Sequence, residues 1–239
     1  MSGLGVLIFL LLISSIPAIA VFIWFRLARY PFSPLRFSCA LLAGAISFFP
    51  ALVLQNILSA ATSGIVYAIG KWGLIAEIFL RIAFTEEFSR LILLAILFFA
   101  ISRLRPAGQA SPDPQNPGAP PPISPATMAS AAGLIAGLGF AIIESAVYGA
   151  SNPGNALLRT FTAAPLHGAC GFRVGSSIAM FPERPLHAVF RFLSAVVIHG
   201  LYNFMLIIPG FLPSAAAILI ALFSLTSAIL VIRSGMHGE

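Results

Sequence analysis

Glu86, Glu87 and Arg90 lie together in the stretch IAFTEEFSRLI, in the middle of an apolar run that covers residues 73–102. If that run crosses a bilayer, each of the three costs about 3 kcal/mol unless it is paired. Glu144, His167 and the i,i+4 pair His199 and Asn203 interrupt three further apolar runs. In a low-dielectric, partly hydrated cavity, a carboxylate and a histidine can activate a water for attack on a carbonyl. The His199–Asn203 pair can donate hydrogen bonds to the oxyanion that forms. Glutamate and histidine are also zinc ligands, and on that reading Glu86, Glu144, His167 and His199 are the candidate set, with the metal as water activator. There is no HExxH motif, so the zinc reading rests on residue types alone. Taken singly, these residues have plainer explanations. A Glu–Arg pair in a membrane helix is more often structural or a proton relay, and a lone His167 or His199 is more often an interhelical hydrogen-bonder.

The elements that position these residues follow from composition. The chain has 239 residues, of which 59% are hydrophobic and 8% charged. A soluble domain carries roughly 25% charged residues, so this chain cannot provide a normal aqueous surface. Its mean hydropathy is +1.00. The apolar runs are continuous rather than alternating, which excludes a β-barrel and predicts an all-α, polytopic transmembrane helical bundle in a single domain. Seven spans are expected, over about residues 4–25, 37–58, 73–102, 126–150, 159–181, 187–208 and 211–232. Residues 59–71 read as an interfacial or re-entrant segment. The proline-rich stretch 106–124 reads as a flexible loop. The net charge of +6 comes mostly from arginines in short loops, the placement of topology signals rather than of a nucleic-acid surface. With the N-terminus outside, Arg26, Arg29, Arg36, Arg103, Arg105, Arg184, Arg191 and Arg233 are cytoplasmic, and Lys71 and Arg159 are not. That asymmetry predicts an N-out, C-in layout. Cys39 and Cys170 fall inside apolar runs and predict neither a disulfide nor a zinc knuckle.

Depth and facing bring the polar residues together. At 1.5 Å per residue, Glu144 lies about 9 Å, His167 about 12 Å, His199 about 14 Å and Glu86 about 20 Å below the outer ends of their spans. Glu86, Glu87 and Arg90 share one helical sector, with Arg90 placed to hold the Glu86 carboxylate ionised. Glu77 and Arg81 form a separate structural pair. Gly133, Gly137, Phe140, Glu144 and Tyr148 share a stripe whose glycines permit close helix approach. His167, Gly171 and Gly175 repeat the device, while Arg173 points elsewhere and snorkels toward the cytoplasmic face.

In order, Glu86-Glu87-Phe88-Ser89-Arg90 resembles an EExxK-type motif and Phe140-Ala141-Ile142-Ile143-Glu144 an FxxxE motif. His167 within PLHGACG and His199-Gly200-Leu201-Tyr202-Asn203 resemble the third and fourth motifs. Together they resemble the PrsW family of intramembrane proteases, distantly related to the CAAX prenyl endopeptidases and to the gamma-secretase scaffold subunit. The resemblance covers about residues 84–204. It implies cleavage of membrane-embedded or membrane-proximal peptide bonds, with Glu86, Glu87 and His167 essential and with Arg90 and Phe140 supporting them. By analogy with the CAAX enzymes it also implies that Glu86 and Glu144 activate water while His199 and Asn203 form the oxyanion site. Metal-free glutamic and zinc-dependent mechanisms both remain open. The implied partners are the lipid bilayer and a membrane-protein substrate, such as a single-pass anti-sigma factor, in the bacterial cytoplasmic membrane. Nothing in the sequence sets an oligomeric state. Two positions depart from the pattern. Arg90 stands where lysine is usual, which keeps the charge and changes its geometry. Ser145 stands where asparagine is common, which removes an amide.

Two other functions use the same residues. A proton-coupled transporter would relay protons through the buried carboxylates and predicts internal repeats, which the sequence lacks. A catalytically silent scaffold, like the gamma-secretase subunit, would need the polar cluster for assembly alone.

Overall fold

The computed structural model describes residues 3–68, 70–103 and 124–237, and these are almost entirely helical. The helices are α1 (Gly3–Leu27), α2 (Pro34–Ala68), α3 (Lys71–Ala76), α4 (Thr85–Arg103), α5 (Pro125–Gly149), α6 (Pro153–Met180), α7 (Pro185–Ile207) and α8 (Phe211–His237). A π-helical segment, Glu77–Phe84, joins α3 to α4 without a break. The proline-rich loop 106–124 lies outside the described residues except for Ser124. Five helices are long and apolar enough to cross a membrane: α1, most of α2, α5, α7 and most of α8. The helices carrying Glu86 and His167 are not among them, α4 because of its charged residues and α6 because glycines, serines, His167 and two arginines lower its hydropathy.

Local chemistry sets the helix ends. Pro125, Pro153 and Pro185 each open a helix, where a missing N–H costs nothing. The Ser124 hydroxyl accepts from the Thr127 N–H, and the Asn152 side chain accepts from the Gly154 N–H. Asn152 thereby starts α6 six residues before Arg159, so the loop between α5 and α6 is shorter than the sequence suggested. Gly70, at φ 55°, provides the break between α2 and α3. Residues 59–68 do not turn back as a re-entrant segment would. They continue α2, which at 35 residues is about 52 Å long and overhangs a 30 Å hydrocarbon core. The weak β-branched and small-residue run SAATSGIVYA contains no proline, so nothing in it ends the helix.

α5 is the central helix, with 72% of its apolar window buried against 17–33% for the other four candidate spans. Its glycines make that possible. A Cβ at Gly133 would collide with the Gly171 carbonyl of α6, and one at Gly137 with the His167 carbonyl. On the opposite flank, a Cβ at Gly139 would meet the Leu41 carbonyl of α2, and one on Gly44 of α2 would meet the Ala136 carbonyl. α5 is thus wedged between α2 and α6 at backbone contact, the packing that small residues allow where there is no water to drive association. Apolar side chains on the outer faces of α1, α2, α7 and α8, such as Leu12, Phe49, Phe190 and Phe223, stay exposed. The inward faces bury Ser, Thr, Glu, Arg and His. This inside-polar distribution is that of a membrane bundle built around a functional interior.

Candidate active site

The first turn of α4 places Glu86, Glu87 and Arg90 inward, all at most 5% exposed. The π-helical segment before them is closed by Thr85, whose hydroxyl donates to the Arg81 and Ile82 carbonyls. It also holds the expected Glu77–Arg81 ion pair. π-turns of this kind often occur next to functional residues.

Glu87 is fully enclosed. It forms an ion pair with Arg90 through one oxygen, and its other oxygen accepts from His199 Nδ1 at 2.8 Å. The Arg90 guanidinium lies over the Phe140 ring, 4.6 Å from its centroid, and its Nη2 is 3.4 Å from His167 Nδ1. Phe140 also packs against His167, with ring centroids 5.1 Å apart. Arg90 was expected to hold Glu86. It holds Glu87 instead, because the i,i+3 reach of its side chain turns the guanidinium toward α6.

Glu86 takes a different partner, Gln55 of α2, whose Nε2 donates to Oε1 at 3.0 Å. Its other oxygen, Oε2, is buried without a hydrogen-bond partner and stands 3.6 Å from His199 Nε2. Glu144 of α5 accepts at one oxygen from both His167 Nε2 (2.7 Å) and Arg159 Nη2 (2.5 Å). Arg159 also lies over the Tyr148 ring, 4.2 Å from its centroid. The two imidazoles meet edge to face, with centroids 4.9 Å apart.

These contacts fix the tautomers. A guanidinium can only donate, so His167 Nδ1 accepts from Arg90 and His167 Nε2 carries the proton given to Glu144. Glu87 is paired with Arg90 and is ionised, so His199 Nδ1 carries the proton donated to it. The Nε2 lone pair of neutral His199 therefore points at the unpartnered Oε2 of Glu86. Two acceptors facing each other at 3.6 Å need something electropositive between them, whether a proton, a water or a metal ion.

A metal fits this gap. Glu86, His167 and His199 each offer a ligand atom, all within 4.8 Å of one another. Ligands about 2.1 Å from a tetrahedral zinc stand about 3.4 Å apart, close to the Glu86–His199 separation. The Glu87–His199 contact supplies the carboxylate–imidazole support usual behind a metal-bound histidine. His167 joins such a set only by giving up one of its two hydrogen bonds. Glu144, a fourth candidate ligand from sequence, is engaged with His167 and Arg159 and lies outside the group.

Glu86, Glu87, Glu144, His167, His199, Arg90 and Phe140 are thus brought into one cluster. Asn203, one turn beyond His199, is half-buried and bonds to none of them. Ser145 is buried with its hydroxyl unpartnered. Arg173 donates to the Ala169 carbonyl of its own helix at 2.9 Å. Sequence reasoning missed two residues of the cluster. Gln55, a lone amide in the apolar body of α2, carried a signal only in its polarity. Arg159 had been counted among the loop charges.

The helices thus form a membrane bundle that encloses carboxylates, imidazoles and an orphaned carboxylate oxygen. The chain belongs to the PrsW family of intramembrane metalloproteases, whose family model matches residues 34–231. No curated protein and no solved structure matches the chain. The match reaches beyond the four motifs to α2, with Gln55, and to most of α8.

Proposed function

We propose that this protein is an endopeptidase that hydrolyses peptide bonds of membrane proteins within or beside the bilayer. The observation that carries this reading is Glu86 Oε2, buried without a hydrogen-bond partner and 3.6 Å from His199 Nε2. A water held between them gives a proton to Glu86 while its oxygen bonds to the scissile carbonyl carbon. The Asn203 amide, one turn from His199 on the same face of α7, is the donor left for the developing oxyanion, because the one N–H of neutral His199 is given to Glu87. The proton on Glu86 then passes to the departing nitrogen as the C–N bond breaks. Glu87 keeps His199 in the required tautomer, and Arg159 keeps Glu144 as the acceptor that orients His167. If a divalent ion is bound, Glu86, His199 and His167 hold it, and it supplies Lewis acidity and a more acidic water.

The substrate class is a single-pass membrane protein, with anti-sigma-factor-type regulators as the family resemblance suggests. The layout is N-out and C-in in a bacterial cytoplasmic membrane, which places the cluster in the outer half of the bilayer. The test is proteoliposome cleavage of a single-pass substrate by wild type, Glu86→Gln and His199→Ala, with and without a zinc chelator. Wild type cleaves, and both variants fall by at least about 100-fold. A chelator-sensitive wild type, restored by zinc, makes the enzyme metal-dependent. Cleavage by both variants at the wild-type rate overturns the assignment.

A further inference from the structure

A half-open cavity of about 500 Å³ lies at the opposite end of α5 from Glu144. It is bounded by the start of α2, the last turns of α4, the first turns of α5 and the end of α6. Along α5, its Ala132 wall is twelve residues from Glu144, or about 18 Å, so it is separate from the cluster described above. Ala40, Ala95, Ala129, Ala132 and Ala179 create the space by their small size, and Phe98 closes one side. Arg36 is the one charged residue among the described lining residues. Arg36 is partly buried, its side chain makes no ion pair or hydrogen bond with any described residue, and its backbone N–H donates to the Ser33 hydroxyl.

A cavity of several hundred Å³ with apolar walls and a single polar anchor is the usual form of a small-molecule site. The chemistry of this one specifies its ligand. The apolar walls suit a hydrocarbon chain. A partly desolvated guanidinium at the edge of such a space calls for an anion, and its planar fork matches two phosphate oxygens. The chamber reaches from the helix ends about 10 Å inward along α5, the depth at which a headgroup gives way to acyl chains. We propose that it binds one phospholipid of net negative charge, with the phosphate on Arg36 and an acyl chain among the alanines. Basic pockets between membrane helices take anionic headgroups in this way. This site does not depend on the catalytic reading.

The test is native mass spectrometry of the delipidated full-length protein after exposure to mixed phosphatidylglycerol and phosphatidylcholine vesicles. Wild type retains one phosphatidylglycerol in preference to phosphatidylcholine. Arg36→Ala lowers that retention about tenfold, the loss of one charge-assisted contact, and Arg36→Lys restores part of it. Ala132→Trp, which fills the chamber, removes it. Arg26→Ala, an exposed arginine outside the chamber, leaves it unchanged. A photo-crosslinker at Ala132 forms a lipid adduct. Equal retention of the two lipids, full retention by a folded Arg36→Ala protein, or a crosslink from Ala132 to residues 104–123 in place of lipid overturns the proposal.

Discussion

The carboxylates of Glu86 and Glu87 leave α4 from adjacent positions and meet different surroundings, and this divides their roles. Glu87 has each oxygen taken, one by Arg90 and one by His199. Glu86 has one oxygen on Gln55 and one on nothing. Removing one partner of a buried ion pair leaves an uncompensated charge and costs about 3–5 kcal/mol. Glu87→Gln should therefore lower unfolding stability by about that amount, seen as a large drop in the thermal midpoint in detergent. Glu86→Gln should leave the midpoint at or above wild type while abolishing cleavage. Equal destabilisation by the two substitutions would contradict the division. Gln55→Leu should spare the fold and cut kcat/KM about 10- to 100-fold, the usual effect of losing a group that orients a ligand or base. The fall should appear in kcat rather than KM, and Gln55→His, which keeps a donor, should recover part of it. An unchanged kcat in Gln55→Leu would remove Gln55 from the site.

Among the elements, the α5–α6 pair is set by glycines whose missing Cβ atoms give way to carbonyls of the facing helix. Gly171→Leu has no room and should cost about 3 kcal/mol or more, measured as a lowered unfolding midpoint. Gly64→Ala on α2, where a Cβ meets nothing within 4 Å, should have no such effect. Much of this was legible in the sequence, because Gly133, Gly137, Gly171 and Gly175 recur at one-turn spacing around Glu144 and His167. The overlapping depths of Glu144 and His167 pointed to a shared polar interior, though not to the contact between the two. Gln55 was not legible. Its contact joins α2 to α4, and nothing local in the sequence sets the rotation of one helix against another. Arg159 was hidden by a boundary, since placing the start of α6 at that residue made it look like a loop charge. The Asn152 cap and Pro153 move the start back and carry Arg159 inside. The partner of Arg90 was also illegible, because Glu86 and Glu87 are both within a turn of it and only α6 and α7 decide between them.

For the whole molecule, composition called for a membrane protein, and the continuous apolar runs chose helices over a closed barrel, the two structures that satisfy a backbone in lipid. The count of spans is less direct, because two of the helices that carry the cluster, α4 and α6, are too polar to meet a hydropathy criterion, whereas α5 and α7 meet it. The N-out layout predicts opposite accessibilities for two exposed turns. In a background without Cys39 and Cys170, Ser151→Cys should react with an impermeant maleimide in intact cells. Glu183→Cys should react only after permeabilisation. The reverse pattern would invert the proposed topology.

The glycine seam also constrains how a substrate arrives. A transmembrane segment reaches this protein by diffusion in two dimensions, and it can approach the buried cluster only where neighbouring helices can part. Helices in contact through their backbones have no side-chain layer that could rearrange to admit a third helix. The α5–α6 and α2–α5 seams are therefore closed to traffic. The partly exposed side chains beside the cluster, Gln55, Tyr148 and Arg159, form its remaining rim. A peptide entering over this rim would pass an amide, a phenol and a guanidinium, three groups able to hydrogen-bond or cover an extended backbone.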